Sequence, residues 1–116
     1  MNIETKKQRN PIIEINAEGG TGTLYLDKLL SKNDMPENLR TFARATLEVG
    51  ASVGYHEHFG ESESYYILSG AGEYNDDGEL YSVCEGDVTY TPSGHGHGIK
   101  NTGDVPLEFI ALIIRD

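Results

Sequence analysis

The sequence predicts an all-β domain, a barrel or sandwich of short strands. Three observations carry this. Segments of four to nine residues rich in Val, Ile, Thr, Tyr and Phe recur along the chain, bounded by Gly, Pro, Asn and Asp. No amphipathic helical pattern of ten or more residues interrupts them. Glycine makes up 14 of 116 residues, against a usual share of ~7%, and without a collagen repeat that excess implies many tight turns.

Taken in order, residues 1–10 are polar and read as a flexible arm. Pro11–Ile15 reads as a short strand, with proline at its start, where a missing N–H is tolerated. Glu18–Gly22 is a turn and Thr23–Leu29 a second strand. Ser31–Leu39, carrying Asn33, Asp34 and Pro36, is a loop with one helical turn. Thr41–Val49 suits a strand, although Ala43, Ala45 and Glu48 are weak strand formers. Tyr65–Leu68 is a strong strand. Asn75-Asp76-Asp77-Gly78 is hairpin chemistry, since these residues tolerate positive φ, and it separates Gly72–Tyr74 from Glu79–Val83. Asp87–Thr91 is a strand ended by Pro92, Gly96–Lys100 is another, and Pro106–Ile114 closes the chain. Residues 11–116 therefore form one domain, with no internal repeat.

Charge narrows the partners. Nineteen acids against nine bases give −10 at neutral pH. Such a surface repels phosphate backbones and anionic lipid, so neither nucleic acid nor membrane is expected as a partner. The longest apolar run, Phe109–Ile114, is far below the ~20 residues of a spanning helix. Lys6, Lys7 and Arg9 are followed by no apolar stretch, so no signal peptide is expected and the default location is the cytoplasm. The single cysteine, Cys84, excludes an intrachain disulfide; it reads as a buried or half-buried small residue.

All four histidines lie between residues 56 and 97. His56 and His58 are two apart, and on a strand residues i and i+2 share a face. A turn over Phe59-Gly60-Glu61-Ser62 would return the chain and place Glu63 on the neighbouring strand, facing the same way. The turn at Pro92-Ser93-Gly94 can fold His97 back toward them. Three imidazoles and a carboxylate suit a transition metal better than Ca²⁺ or Mg²⁺, which prefer all-oxygen shells. Tyr65 shares the parity of Glu63 and should face the interior, either as core packing or as an acid, base or positioning group. Ile67 continues that face. His95 is either a loop residue or a group at the rim that moves a proton. Glu57 and Glu61 are expected to face solvent. Lys100 and Arg44 are the cations of this region, ordinarily surface charges and otherwise partners for a substrate carboxylate.

These residues match a family pattern in full. Gly50, His56, His58, Glu63 and Gly70 keep the spacing of the first cupin motif, and Gly86, Pro92, Gly94, His97 and Asn101 keep that of the second. The chain resembles a small single-domain cupin over residues 40–114. The resemblance implies a double-stranded β-helix, that is, a jelly-roll barrel, holding one divalent ion (Fe, Mn, Ni, Zn or Co) on His56, His58, Glu63 and His97. It implies turn roles for the glycines and a structural role for Asn101. Family members of this kind include dioxygenases, decarboxylases, lyases and isomerases. The implied function is a metal-dependent enzyme acting on a small carboxylate or carbonyl compound inside the barrel, with Glu63, Tyr65 and His95 as catalytic candidates. The alternative is a metal-containing binding or sensing module without turnover. A phosphosugar substrate is disfavoured, because few cations are present to clamp a phosphate. Single-domain cupins commonly form homodimers through N-terminal strands, and Pro11–Ile15 is the segment here that would do so.

Overall fold

The computed structural model describes residues 3–116. Ten strands follow one another: β1 (Ile12–Ile15), β2 (Thr23–Lys28), β3 (Leu39–Leu47), β4 (Ser52–Glu57), β5 (Glu61–Ser69), β6 (Ala71–Asp76), β7 (Glu79–Cys84), β8 (Val88–Thr91), β9 (Gly96–Asn101) and β10 (Leu107–Arg115). They form two antiparallel sheets, one ordered β1-β2-β3-β10-β5-β8 and the other β4-β9-β6-β7. The sheets close face to face as a jelly roll. Three short 3₁₀ turns, at Lys6–Gln8, Ala17–Gly19 and Lys32–Asp34, are the helical content among the described residues. None is long and apolar enough to cross a membrane.

Nine of the ten strands follow the pattern of the sequence, with shifts of up to four residues at the ends; β4 was anticipated only through the two-residue spacing of His56 and His58. The largest differences lie where turns are tighter than expected. Asp76 pairs with Glu79, so the β6–β7 hairpin turns on Asp77 and Gly78 alone, both at positive φ. That is the left-handed pair a two-residue turn requires. The turn before Glu63 is also shorter than 59–62, because β5 already begins at Glu61.

The interior is graded from apolar to polar. Phe109, Leu47, Ile67, Ile99 and Leu107 are fully buried between the sheets. The inner face of β5 runs Glu61, Glu63, Tyr65, Ile67, passing from ionisable to aliphatic along one strand. Ala43 and Ala45 on β3 and Ala111 on β10 are also buried. These alanines weaken the strand pattern of the sequence, yet Ala45 and Ala111 line the internal cavity, where larger side chains would fill it. The motif glycines Gly50, Gly70, Gly86 and Gly94, and Gly60 in the turn between them, all adopt positive φ at strand junctions. Gly70 is doubly constrained, since a Cβ there would also lie 2.7 Å from the Pro106 carbonyl oxygen. Asn101 is structural: its Nδ2 donates to the Leu47 and Val105 carbonyls at 3.1 and 2.9 Å, and its Oδ1 accepts from Gly103 N–H at 3.0 Å.

Cys84 departs from the expectation. It is exposed. β7 is an edge strand on which only Val83 turns inward. Residues 3–10 are not featureless either: Thr5 and Gln8 cap the first 3₁₀ turn, and Arg9 bonds to Asp27 at 2.7 Å.

Candidate metal centre

Four side chains converge at one end of the cavity. One ligand atom from each of His56, His58, Glu63 and His97 lies within 4.8 Å of the others. β4 and β9 are direct neighbours and supply His56 and His97, which lie opposite each other in the register. His58 lies one residue beyond the end of β4. Its N–H donates to the His95 carbonyl and its C=O accepts from Gly94 N–H, which pins the second-motif loop beside it. β5 brings Glu63 from the other sheet. The three imidazole centroids are 4.7 to 5.0 Å apart and packed edge to face.

The outward nitrogen of each ring is committed. His56 Nδ1–H donates to the Gly54 carbonyl at 2.8 Å. His58 Nδ1–H donates to Glu61 Oε2 at 2.8 Å. His97 Nδ1 and Thr91 Oγ1 both lie 2.8 Å from Tyr74 Oη, so with the tyrosine proton directed to Thr91 the imidazole donates to Tyr74. Each Nε2 then carries a lone pair aimed inward, which is how metal-bound histidines are held.

This arrangement fits a cation. His58 Nε2 is 3.1 Å from His97 Nε2, and Glu63 Oε1 is 3.0 and 2.8 Å from them. With both Nδ1 protons committed and Glu63 ionised, these are three acceptors in mutual contact. A divalent ion among them converts repulsion into ligation, and the N₃O donor set is one that transition metals accept. Burial pushes the Glu63 carboxyl up to about 7, opposed by the neighbouring imidazoles of His58 and His56. Burial, and then the charge of His56, push His97 down to about 4, so it is a neutral ligand near pH 7.

The cluster opens into a cavity of about 450 Å³. Leu24, Val53, Phe109 and Ala111 form its apolar wall. Tyr65 is 3% exposed and lines it, its ring stacked on His97 at 5.0 Å and tilted against Phe109 at 4.4 Å. The other sequence candidates fall outside. His95 is half exposed, bonds Asp77 through Nδ1 and is not part of the cavity wall. Arg44 pairs with Glu108 at 3.1 Å, and Lys100 is exposed on the four-stranded sheet.

Two residues acquire roles that the sequence reading did not give them. Glu61 was expected to face solvent, but it is 13% exposed and holds His58. The signal was present in its parity, because Glu61 and Glu63 are two apart on one strand. Both oxygens of Glu61 also accept from Arg40 Nη1. Arg40 lies on β3, two strands away across β10, a placement no local pattern reveals.

An antiparallel jelly roll that turns three histidines and a glutamate into one end of a small cavity defines a class of barrel able to hold a single metal ion. The Cupin domain family model matches residues 43–113, more than half of the chain, and the chain belongs to the cupin family. It is 48% identical over 99 residues to an oxalate-binding protein of Thermotoga maritima, covering 85% of this chain and 82% of that protein. An uncharacterized protein of Methanocaldococcus jannaschii is 36% identical over 83 residues, 72% of this chain and 66% of its own length. Among solved structures, a predicted oxalate decarboxylase of Thermotoga maritima superposes with a TM-score of 0.92 over 100% of both chains, at 43% identity.

Proposed function

We propose that the protein is a metal-dependent cupin enzyme acting on a small carboxylate that chelates the metal through two oxygens. The observation that carries this is the shared orientation of the three imidazoles. All present a lone pair to one point, beside Glu63, at the wall of a cavity large enough for a compact ligand. His56, His58, Glu63 and His97 would hold the ion. A divalent ion there supplies Lewis acidity to a bound carboxylate or carbonyl oxygen. The chain's own residues supply the rest. Tyr65 and the apolar wall position the ligand and limit water, while Glu61 and Arg40 keep His58 in the required tautomer.

The oxalate-binding and oxalate-decarboxylase descriptions of the Thermotoga relatives support a small carboxylate ligand. They also favour a second reading, in which the same site binds its ligand without converting it, because one of the two is described only as binding. Metal-loaded protein incubated with small mono- and dicarboxylates distinguishes the two. Consumption of ligand with release of CO₂ or uptake of O₂, lost in His58→Ala together with the metal, supports the enzyme. Saturable binding without turnover across several metals supports the module.

We also propose a homodimer through β1. Ile12, Ile13 and Ile15 are 43%, 62% and 64% exposed on an edge strand, an arrangement that invites a second copy of the chain. Light scattering at micromolar concentration should give twice the monomer mass; a clean monomer refutes the dimer.

A further inference from the structure

The wall of the cavity away from the metal cluster is built with unusual care. The turn Ala17–Gly19, between β1 and β2, lies directly on the backbone of β4. A Cβ on Gly54 would be 2.1 Å from the Glu18 carbonyl oxygen, and one on Gly20 would be 2.3 Å from that of Ser52. Only glycine at both positions allows the two backbones to meet. Within this turn Asn16 and Glu18 have φ of 56° and 52°. For Asn16 the left-handed conformation is supported locally, since its Oδ1 accepts from Gly22 N–H. Among the described residues the Glu18 side chain makes no such bond. A glutamate in that conformation is uncommon and is held there by its surroundings.

The turn sets Glu18, an exposed residue, at the cavity wall. Its field reaches both the Tyr65 phenol and the His97 ring. Tyr65 is 3% exposed, and among the described residues its hydroxyl makes no hydrogen bond. Among the described residues no buried side-chain polar atom lacks a partner, so the Tyr65 Oη is accessible, and Tyr65 lines the cavity. A donor, Tyr65, and an acceptor, Glu18, thus belong to residues that line the same cavity as the metal cluster, and among the described residues neither side chain is engaged by protein.

The charge around that space is strongly negative. Glu14, Glu18, Glu57, Glu61 and Glu63 line the cavity against one cation, Arg40, which is already spent on Glu61. A divalent ion leaves the wall with a net charge of about −2 when every carboxylate is ionised. A ligand with two negative charges would add to that excess beside Glu18.

We propose that this site selects a monoanionic carboxylate bearing a neighbouring O–H, the 2-hydroxycarboxylate class, over a dianionic dicarboxylate. The ligand's hydroxyl donates to Glu18 while Tyr65 donates to a ligand oxygen. The inference rests on the reading that a small carboxylate chelates the metal.

The test is calorimetric and needs no turnover. Co²⁺-loaded wild type, Glu18→Gln and Glu18→Gly are each titrated with glycolate and with oxalate near neutral pH, with metal content measured before and after. Oxalate is the stronger chelator by itself, so the ratio of the two affinities is compared between proteins. Removing the Glu18 charge should weaken glycolate and strengthen oxalate, moving the ratio toward oxalate by about tenfold or more. Glu18→Gly suits the left-handed backbone and should keep a melting temperature at or above wild type, so its shift in ratio cannot reflect unfolding. A ratio within about twofold of wild type in both variants, with both ligands bound, overturns the selection while leaving the carboxylate reading intact. Failure of fully metal-loaded wild type to bind either ligand overturns the carboxylate reading and this inference with it.

Discussion

Glu61 offers the sharpest perturbation, because it touches no metal and yet should govern metal affinity. Its carboxylate accepts from His58 Nδ1–H at 2.8 Å, with the two side chains 13% and 7% exposed. A charge-assisted bond this well shielded from water contributes about 1.5–3 kcal/mol. In Glu61→Ala that contribution is lost and the His58 proton is free to move to Nε2, which cannot then ligate. At about 1.4 kcal/mol per factor of ten, the metal Kd should rise by about 10- to 100-fold, the usual effect of removing such a partner. Glu61→Gln can still accept from His58, but its amide nitrogen then faces Arg40 Nη1, which contacts both oxygens of the native carboxylate. About tenfold weakening is expected. Arg40→Ala should cost less than about threefold, since that side chain is 49% exposed and its pair is screened. Competition with a chromophoric chelator measures all three, with circular dichroism to confirm the fold. If Glu61→Ala binds metal within twofold of wild type while folded, the tautomer argument is wrong.

Other outcomes follow from the same geometry. Because the metal-free Glu63 carboxyl is raised to about 7, it holds a proton below that pH, which metal must displace. Its share of proton release should be about 0.9 at pH 6 and about 0.1 at pH 8, read from binding heats in buffers of different ionisation enthalpy; buffer-independent heats at pH 6 would contradict it. The same shift acts on stability. A folded pKa above the unfolded value of 4.5 means the metal-free fold loses stability as pH rises from about 4.5 to 7, by about 3 kcal/mol. Glu63→Gln should remove that loss, giving a more stable metal-free protein at pH 8 and little change at pH 5 in urea denaturation. Equal urea midpoints at pH 8 would count against the buried, unpaired carboxylate. Gly54→Ala places a methyl 2.1 Å from the Glu18 carbonyl and should cost about 1–3 kcal/mol of stability; a neutral effect would show that the turn is not packed on β4 as described.

Much of the site was legible because its logic is local. His56 and His58 are a strand period apart, Glu63 follows across one tight turn, and His97 follows a Pro-Ser-Gly reversal. The strands were legible for the same reason, with turn residues marking nearly every junction. What was hidden depends on long-range closure. Ala45 appears as a poor strand former until the cavity it borders is known. Arg40 reaches Glu61 only because β10, from the far end of the chain, lies between β3 and β5. Glu18 reads as one residue of a turn, and its place on the cavity wall depends on two glycines that admit the turn against β4. Cys84 illustrates the converse. Nothing local marks β7 as an edge strand, so its exposure could not be read from its neighbours.

The central claim is that three imidazoles and Glu63 form one metal site. Its most direct test is elemental analysis of the purified protein after saturation with a divalent transition metal and removal of the excess. The account predicts one tightly held ion per chain in wild type and in His95→Ala, and none in His58→Ala or His97→Ala. Equal metal content in all four proteins, or none in wild type, would contradict it.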